Sequence, residues 1–346
     1  MRLILVLISI LLFNDTFCQS LRIKEISLEN NSFKYSFPLI DTKSKIACKI
    51  NDCIQMQSLY KKYSSNDEQI LSEILTRKYI ESSSFQVYTN NSHLLSIKIN
   101  SGFVWHDNFN VQNGELIDLR NLFTSEGYEE LIKKTQSILH TRVSDKLKSL
   151  KKRIRSSALD SLNTIFENYI LDRNFSSFYI QNDSLTLPYL ECSSITMLDG
   201  LSRKDNINWN VTFPKTELES LFSEFGKCVF NKSGNISNYY FHELYYLFLK
   251  GRIDNKYPIT MFICFSYNKR FRIYDIDESG YWYNSVGKRI DLQGTKDGNS
   301  FKLQGNDDTS HEIETFQFTK KEEKYIGVWK NLKTNKELKF EAEEYR

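Results

Sequence analysis

The sequence is short of the residues that build loops and linkers. Four prolines and 13 glycines in 346 residues leave little material for long flexible connections. It has no excess of charge of either sign. Lys and Arg number 46 against 43 Asp and Glu, a net of +3, far from the basic surplus of a dedicated nucleic-acid binder. No C-x-x-C pair occurs, which removes the usual zinc and thioredoxin-type readings. Neither a G-x-S-x-G elbow nor a Gly-rich phosphate loop is present, so the hydrolase and nucleotide motifs are absent too. No apolar run reaches the roughly 20 residues of a spanning helix. Aromatic residues, in contrast, are plentiful at 14%, with Tyr 20 and Phe 24. That enrichment, with 40% hydrophobic and 26% charged residues, describes a folded, β-rich protein.

The N-terminus reads MRLILVLISILLFNDTFCQS. Arg2 precedes an apolar run from Leu3 to Phe13, and Thr16 and Cys18 are small residues three and one before a cut after Cys18. This is the pattern of a cleaved secretory signal, and it places the mature chain, from Gln19, in the periplasm or outside the cell. Bulky Phe17 argues against the alternative, lipidation at Cys18. Five cysteines then remain: Cys48, Cys53, Cys192, Cys228 and Cys264. An odd number leaves at least one unpaired. Cys48 and Cys53 lie in a helical pattern about 140° apart, so their thiols diverge, and buried free thiols are expected.

The patterning gives an α+β chain: a mixed hairpin and helix N-terminal region, then an all-β antiparallel meander, open barrel or sandwich. Ile46, Ile50 and Ile54 mark a short helix, and Phe85–Thr89 with Leu94–Ile99 a hairpin. Asn113-Gly114 predicts a second hairpin between Val104–Val111 and Glu115–Leu119. Helices follow around Tyr128–Leu139 and from about Asp145 to Leu171. A third hairpin turns at Asn182-Asp183, and Thr216–Phe222 reads as a last short helix. From residue 238 on, β patterns recur every 8–12 residues or so, with 18 basic and 17 acidic residues. Residues 223–237 form the expected boundary.

The block FNVQNGELIDLRNLFTSEGYEELIKK has the form Phe109-Asn110-x-x-x-Gly114-x-x-x-x-Leu119-x-x-Leu122-Phe123, followed by a helix. SFYIQNDSLTLPY and WNVTFPKTELESLF come after it. This order resembles the lysozyme-binding ectodomain of RsiV-type anti-sigma factors. Upstream, FPLI, KINDCIQ and FQVYTNNSHLLSIKI resemble the PdaC-like module that precedes that domain and accompanies some peptidoglycan deacetylases. The implied organisation is a signal peptide (1–18), a PdaC-like module (19–100), an RsiV-like domain (101–225) and an antiparallel β domain (238–346). The last, through Gly280-Tyr281-Trp282-Tyr283, Ile290-x-Leu292-x-Gly294 and Gly327-x-Trp329, resembles a small β domain of bacterial secreted proteins. The sigma-binding segment of the family has no counterpart here, so anti-sigma activity is not implied.

Candidate binding residues are few. Trp105 and His106 adjoin the family-like strand, and a Trp beside polar groups is a common recognition anchor. Lys148, Lys152 and Arg155 belong to a basic helical stripe suited to an anionic polymer. Tyr281 and Tyr283 alternate around Trp282; with Trp282 inward, the two tyrosines form an exposed pair able to stack a sugar ring. His242-Glu243 lacks the second His of a zinc helix, since Tyr246 stands at i+4. Asp275-Ile276-Asp277-Glu278 reads as a solvated turn. No catalytic set, metal or cofactor is expected. The leading expectation is a periplasmic or secreted, non-enzymatic binding protein, with no nucleic-acid partner. Its ligand is a cell-envelope glycan or a peptidoglycan-acting protein such as lysozyme. The alternative is an envelope enzyme acting on a glycan, its site assembled only in the fold.

Overall fold

The computed structural model describes residues 20–30, 33–41, 44–59, 70, 83–100, 104–151, 156–171, 177–188, 207–239, 246–268, 273–286, 289–306 and 311–345. The chain is α+β and divides into two compact units, Met1–Ile23 with Ser83–Tyr239, and Lys24–Ser82 with Tyr240–Arg346. Strands β1 (Ile23–Asn30) and β2 (Phe33–Ile40) pair with each other, and helix α1 (Lys45–Leu59) follows. The helix buries Ala47, Ile50 and Ile54, the 3–4 spacing of one apolar face. Asn51 fastens it to the end of β2, accepting from Ile40 N (2.8 Å) and donating to Ile40 O (3.0 Å). Cys53 is buried and Cys48 exposed, and neither is in a disulfide among the described residues; the divergence is the helical one, and only Cys53 serves as a small core residue.

In the first unit β3 (Ser84–Asn90), β4 (Leu94–Asn100) and β5 (Val104–Asn110) form an antiparallel meander. Residues 84–100 therefore share a sheet with 104–110 and do not separate at residue 100. The hairpin expected at Asn113-Gly114 forms but is short: Asn110 N donates to Glu115 O (2.8 Å) and Ile117 N to Asn108 O (2.6 Å), around the bridge of Phe109 to Leu116. Helix α2 (Ser125–Leu150) is longer than its pattern suggested, and α3 (Ser156–Leu171) packs beside it. Strands β6 (Tyr179–Gln181), β7 (Ser184–Leu187) and β8 (Val211–Pro214) make a second small sheet. Its tight turn puts Asn182 and Asp183 at φ of 49° and 54°, which Asn and Asp tolerate. Helix α4 (Lys215–Leu218) leads through a 3-10 turn to α5 (Glu224–Asn231), a helix inside the expected boundary segment.

Two helix starts in this unit mirror each other. Leu122-Phe123-Thr124-Ser125-Glu126-Gly127 and Leu221-Phe222-Ser223-Glu224-Phe225-Gly226 share the order Leu-Phe-Thr/Ser-x-x-Gly. Thr124 caps α2 through Gly127 N (2.9 Å), and Ser223 caps α5 through Gly226 N (3.1 Å). The two segments then bond to each other: Thr124 N to Leu221 O and Ser223 N to Leu122 O, each 3.0 Å. Phe123 and Phe222 form the bridge between them. Each capped helix thus lays its first turn against the other's entering strand.

The second unit is dominated by an eight-stranded antiparallel barrel: β9 (Tyr246–Ile253), β10 (Tyr257–Asn268), β11 (Ile273–Tyr283), β12 (Arg289–Asp297), β13 (Ser300–Asn306), β14 (Glu312–Lys321), β15 (Lys324–Asn331) and β16 (Lys336–Glu344). Each strand pairs with the next, and β16 returns to β9. The barrel is closed, not open, which leaves no unpaired edge. Its interior is filled by side chains including Leu249, Met261, Tyr281, Phe301, Phe316, Phe318, Tyr325 and Phe340, the expected state of an eight-stranded barrel. The acidic stretch Asp275–Glu278 is mid-strand in β11, beside a register shift between Ile276 and Ser279, and is not a turn. On the outside, Tyr345 hydrogen-bonds Asp52 of α1, which ties the helix to the barrel.

Candidate functional site

One partly exposed face of the first unit gathers groups of mixed chemistry. Ser96 and Lys98 of β4 lie across from Asn108 and His106 of β5, so the four share one side of the sheet. Strand β6 crosses that side. Ile180 N donates to Ser96 Oγ (3.1 Å), Thr89 Oγ1 donates to Ile180 O (2.6 Å), and Asn108 Nδ2 donates to Phe178 O (2.7 Å). One polar residue from each of three strands therefore fixes the backbone that carries Tyr179. Gln86 pairs with Lys98, so alternation puts Tyr88 on the same side, and the register shift between Val87 and Thr89 brings Thr89 there as well.

The rings of Tyr88 and Tyr179 stack with centroids 4.0 Å apart and planes 13° from parallel. His106 lies 5.5 Å from Tyr179 and 6.2 Å from Tyr88, also nearly parallel, and its Nδ1 meets Ser177 Oγ at 3.1 Å. Burial, then the charge of Lys98, lowers the His106 pKa to about 4. Burial, then the neighbouring Tyr179, raises Tyr88 to about 12. Tyr88 and His106 are thus neutral over the physiological range, and Lys98 is the cation beside them. It makes no ion pair among the described residues. On the opposite face of β5, Asp107 sits among Leu95, Ile97 and Phe109, which are fully buried, and burial raises its pKa to about 7.

The barrel contradicts the expected tyrosine pair. Tyr281 and Trp282 are both fully buried, because the outer side of β9–β11 is covered as well: Phe248 and Phe262, which point outward, are buried too. Tyr281 points inward and its hydroxyl donates to Glu314 Oε1. Trp329 Nε1 donates to the other oxygen, Oε2, at 2.7 Å. Tyr283, partly exposed, hydrogen-bonds the Tyr281 hydroxyl. Since Tyr281 gives its proton to Glu314, it accepts from Tyr283. Burial raises the pKa of Glu314, against the two hydrogen bonds it accepts.

The remaining candidates do not join either cluster. Lys148 is exposed on the last turn of α2 and pairs with Asp145 (3.3 Å). It borders a shallow groove of about 430 Å³ between α2 and α3, where His140 meets Glu167 at 3.2 Å. Lys152, Arg155 and His242 lie outside the described residues, as does the side chain of Trp105. Among the described residues no group of three or more His, Cys, Asp or Glu is placed to hold a metal ion, and no helix is long and apolar enough to cross a membrane. Lys98, Tyr88, Tyr179 and Glu314 were not singled out from the sequence. Lys98 and Tyr88 follow the same alternation as His106, but Tyr179 depends on a crossing between sheets. No known family model matches the chain, and neither does any curated protein.

Proposed function

We propose that this chain is a non-catalytic binding protein that acts outside the cytosol and recognises a glycan of the cell envelope. The observation that carries this reading is the partly exposed Tyr88–Tyr179–His106 stack beside Lys98. Neutral aromatic rings offer flat apolar surface to the C–H face of a sugar, and a neighbouring ammonium adds attraction for an anionic polymer. The rings are held in place by backbone anchors on β6, so little side-chain entropy is lost on binding. The signal-like N-terminus and the resemblance to an envelope-sensing ectodomain support the same compartment.

The test is co-sedimentation of residues 19–346 with isolated peptidoglycan at rising salt, beside capture of a lysozyme-type hydrolase. Retention on the glycan that falls about tenfold in Tyr179→Ala and loses its salt dependence in Lys98→Gln is the expected result. Capture of the hydrolase alone would replace the glycan by a protein partner. Release of sugar fragments by the purified chain would replace binding by catalysis.

A further inference from the structure

The barrel holds two buried acids and treats them differently. β14 and β16 run parallel to each other, both antiparallel to β15, and the registers put Glu314 level with Asn331 and Lys336 at one end and Glu344 level with Leu249 at the other. The Glu344 carboxylate is matched inside the fold by Lys320 Nζ (3.3 Å) and Tyr325 OH (3.0 Å). Glu314 is 3% exposed and receives only neutral donors, Tyr281 OH and Trp329 Nε1. No cation among the described residues pairs with it. A buried carboxylate without a counter-charge is costly; its two oxygens satisfy the buried Tyr281 and Trp329 donors, but those neutral donors do not match its charge. Room is nonetheless kept for it: a Cβ on Gly305 would stand 2.8 Å from Glu314 Cγ.

The surroundings of Glu314 are aromatic and lead outward. Tyr281 meets Phe316 edge to face at 5.1 Å and Tyr283 at 5.6 Å, and Tyr283 meets Tyr257 at 6.5 Å. Tyr283, Ile290 and Leu338 are only partly buried, and Tyr257 is 47% exposed. This end of the barrel is therefore lined by aromatic rings from the surface down to the acid. Ring faces attract a cation, most strongly when it is desolvated, and a carboxylate below them supplies the opposite charge. We infer that the Tyr257–Tyr283 end of the barrel is a binding site for a small organic ammonium ion, with the Glu314 carboxylate as its counter-charge and Tyr281 and Tyr283 as the movable gate between them. The site lies in the second unit and stands whether or not the first unit binds a glycan.

The experiment titrates the whole mature chain with choline and follows the indole N–H signal of Trp329 by NMR, assigned with a Trp329→Phe variant. The uncharged isostere of choline, with carbon in place of nitrogen, is the control. A saturable shift with choline, at least tenfold weaker with the isostere and at least tenfold weaker in Glu314→Gln, is expected. Tyr257→Ala, at an exposed position, should weaken it severalfold with unchanged melting, and it decides the matter should Glu314→Gln fail to fold. Co-sedimentation with phosphatidylcholine vesicles separates a lipid headgroup from a free amine; either supports the site when it is lost in these variants. Absence of a choline shift and of vesicle binding, or equal response to choline and isostere, would overturn the inference.

Discussion

Gly226 offers the sharpest test of how the first unit is held together. It occupies the first turn of α5, where Ala should gain about 1 kcal/mol from helix propensity alone. A Cβ there, however, would stand 2.0 Å from Leu122 O and 2.8 Å from Leu122 C. Both are backbone atoms, so no rotamer change relieves the overlap. The two entering strands must part, which stretches the bonds from Ser223 N to Leu122 O and from Thr124 N to Leu221 O. Each backbone group left without its partner costs about 1–3 kcal/mol, and the stack of Phe222 on Phe230, 4.5 Å between centroids, adds about 1 kcal/mol. Against the helix gain, the net loss is roughly 2–6 kcal/mol. Urea denaturation followed by far-UV circular dichroism reads it, and the melting point should fall by roughly 5–15 °C for a unit of this size. Gly127→Ala should behave alike, since its Cβ would meet Leu221 O at 2.2 Å. Gly298→Ala, with nothing within 4 Å but a φ of +52°, should lose only about 1 kcal/mol, from the left-handed backbone. A Gly226→Ala variant as stable as its parent would refute the mutual-strand account.

Gly327→Ala should open the barrel in the same manner, because its Cβ would lie 2.0 Å from Gln317 O on the paired strand; loss of near-UV dichroism from the buried aromatics is the readout. Asp107 takes its proton up to about pH 7 in the fold against an ordinary 3.8, so the folded state binds more protons in that window and stability falls as pH rises from about 4 to about 7. Asp107→Asn should remove that slope and raise stability by about 4 kcal/mol at mildly alkaline pH, measured by urea midpoints at two pH values; equal midpoint differences at both would contradict it. His106 behaves oppositely: with a folded pKa of about 4 against 6.5, its contribution is present above about pH 6.5 and is lost as pH falls toward 4. Its ring protons should show no titration near neutrality by NMR.

The barrel was the most legible part of the chain. Alternation and regularly spaced turn residues mark its strands, although Phe271–Ile276 and Tyr281–Tyr283 read as two segments where β11 is continuous. The intervening Asp275, Asp277 and Glu278 looked like a turn because charge in a strand breaks the alternation, and a register shift absorbs the break. Closure of β16 on β9 joins residues about 90 apart and leaves no local signal. The exposed tyrosine pair failed for a related reason. Alternation tells which side chains share a face, but it cannot tell that both faces of β11 are covered. In the first unit, the hairpin turns at Asn90–Ser92 and Asn182-Asp183 were legible from turn chemistry. The helix α5 was not, although the repeated Leu-Phe-Thr/Ser-x-x-Gly order was there to be read.

The block from Phe109 to Phe123 has a structural explanation at each of its marked positions. Phe109, Leu119 and Leu122 are fully buried. Asn110 Nδ2 holds Ile236 O at 2.8 Å, Gly114 takes a φ of +74° in its turn, and Phe123 pairs with Phe222. Asn113, within the motif, clamps Ser237 O and Tyr239 O. These residues bind the chain to itself, and they would be needed by any protein that folds this way, whatever it recognises. The groups able to meet a ligand, Tyr88, Lys98, His106 and Tyr179, all stand outside the motif. The motif therefore builds a scaffold, and specificity must be sought outside it. Two proteins with this fold but different ligands could share every residue from Phe109 to Phe123 and differ only on that half-exposed face. For this reason Tyr179→Ala and Lys98→Gln, and not changes within the motif, are the substitutions that separate recognition from folding.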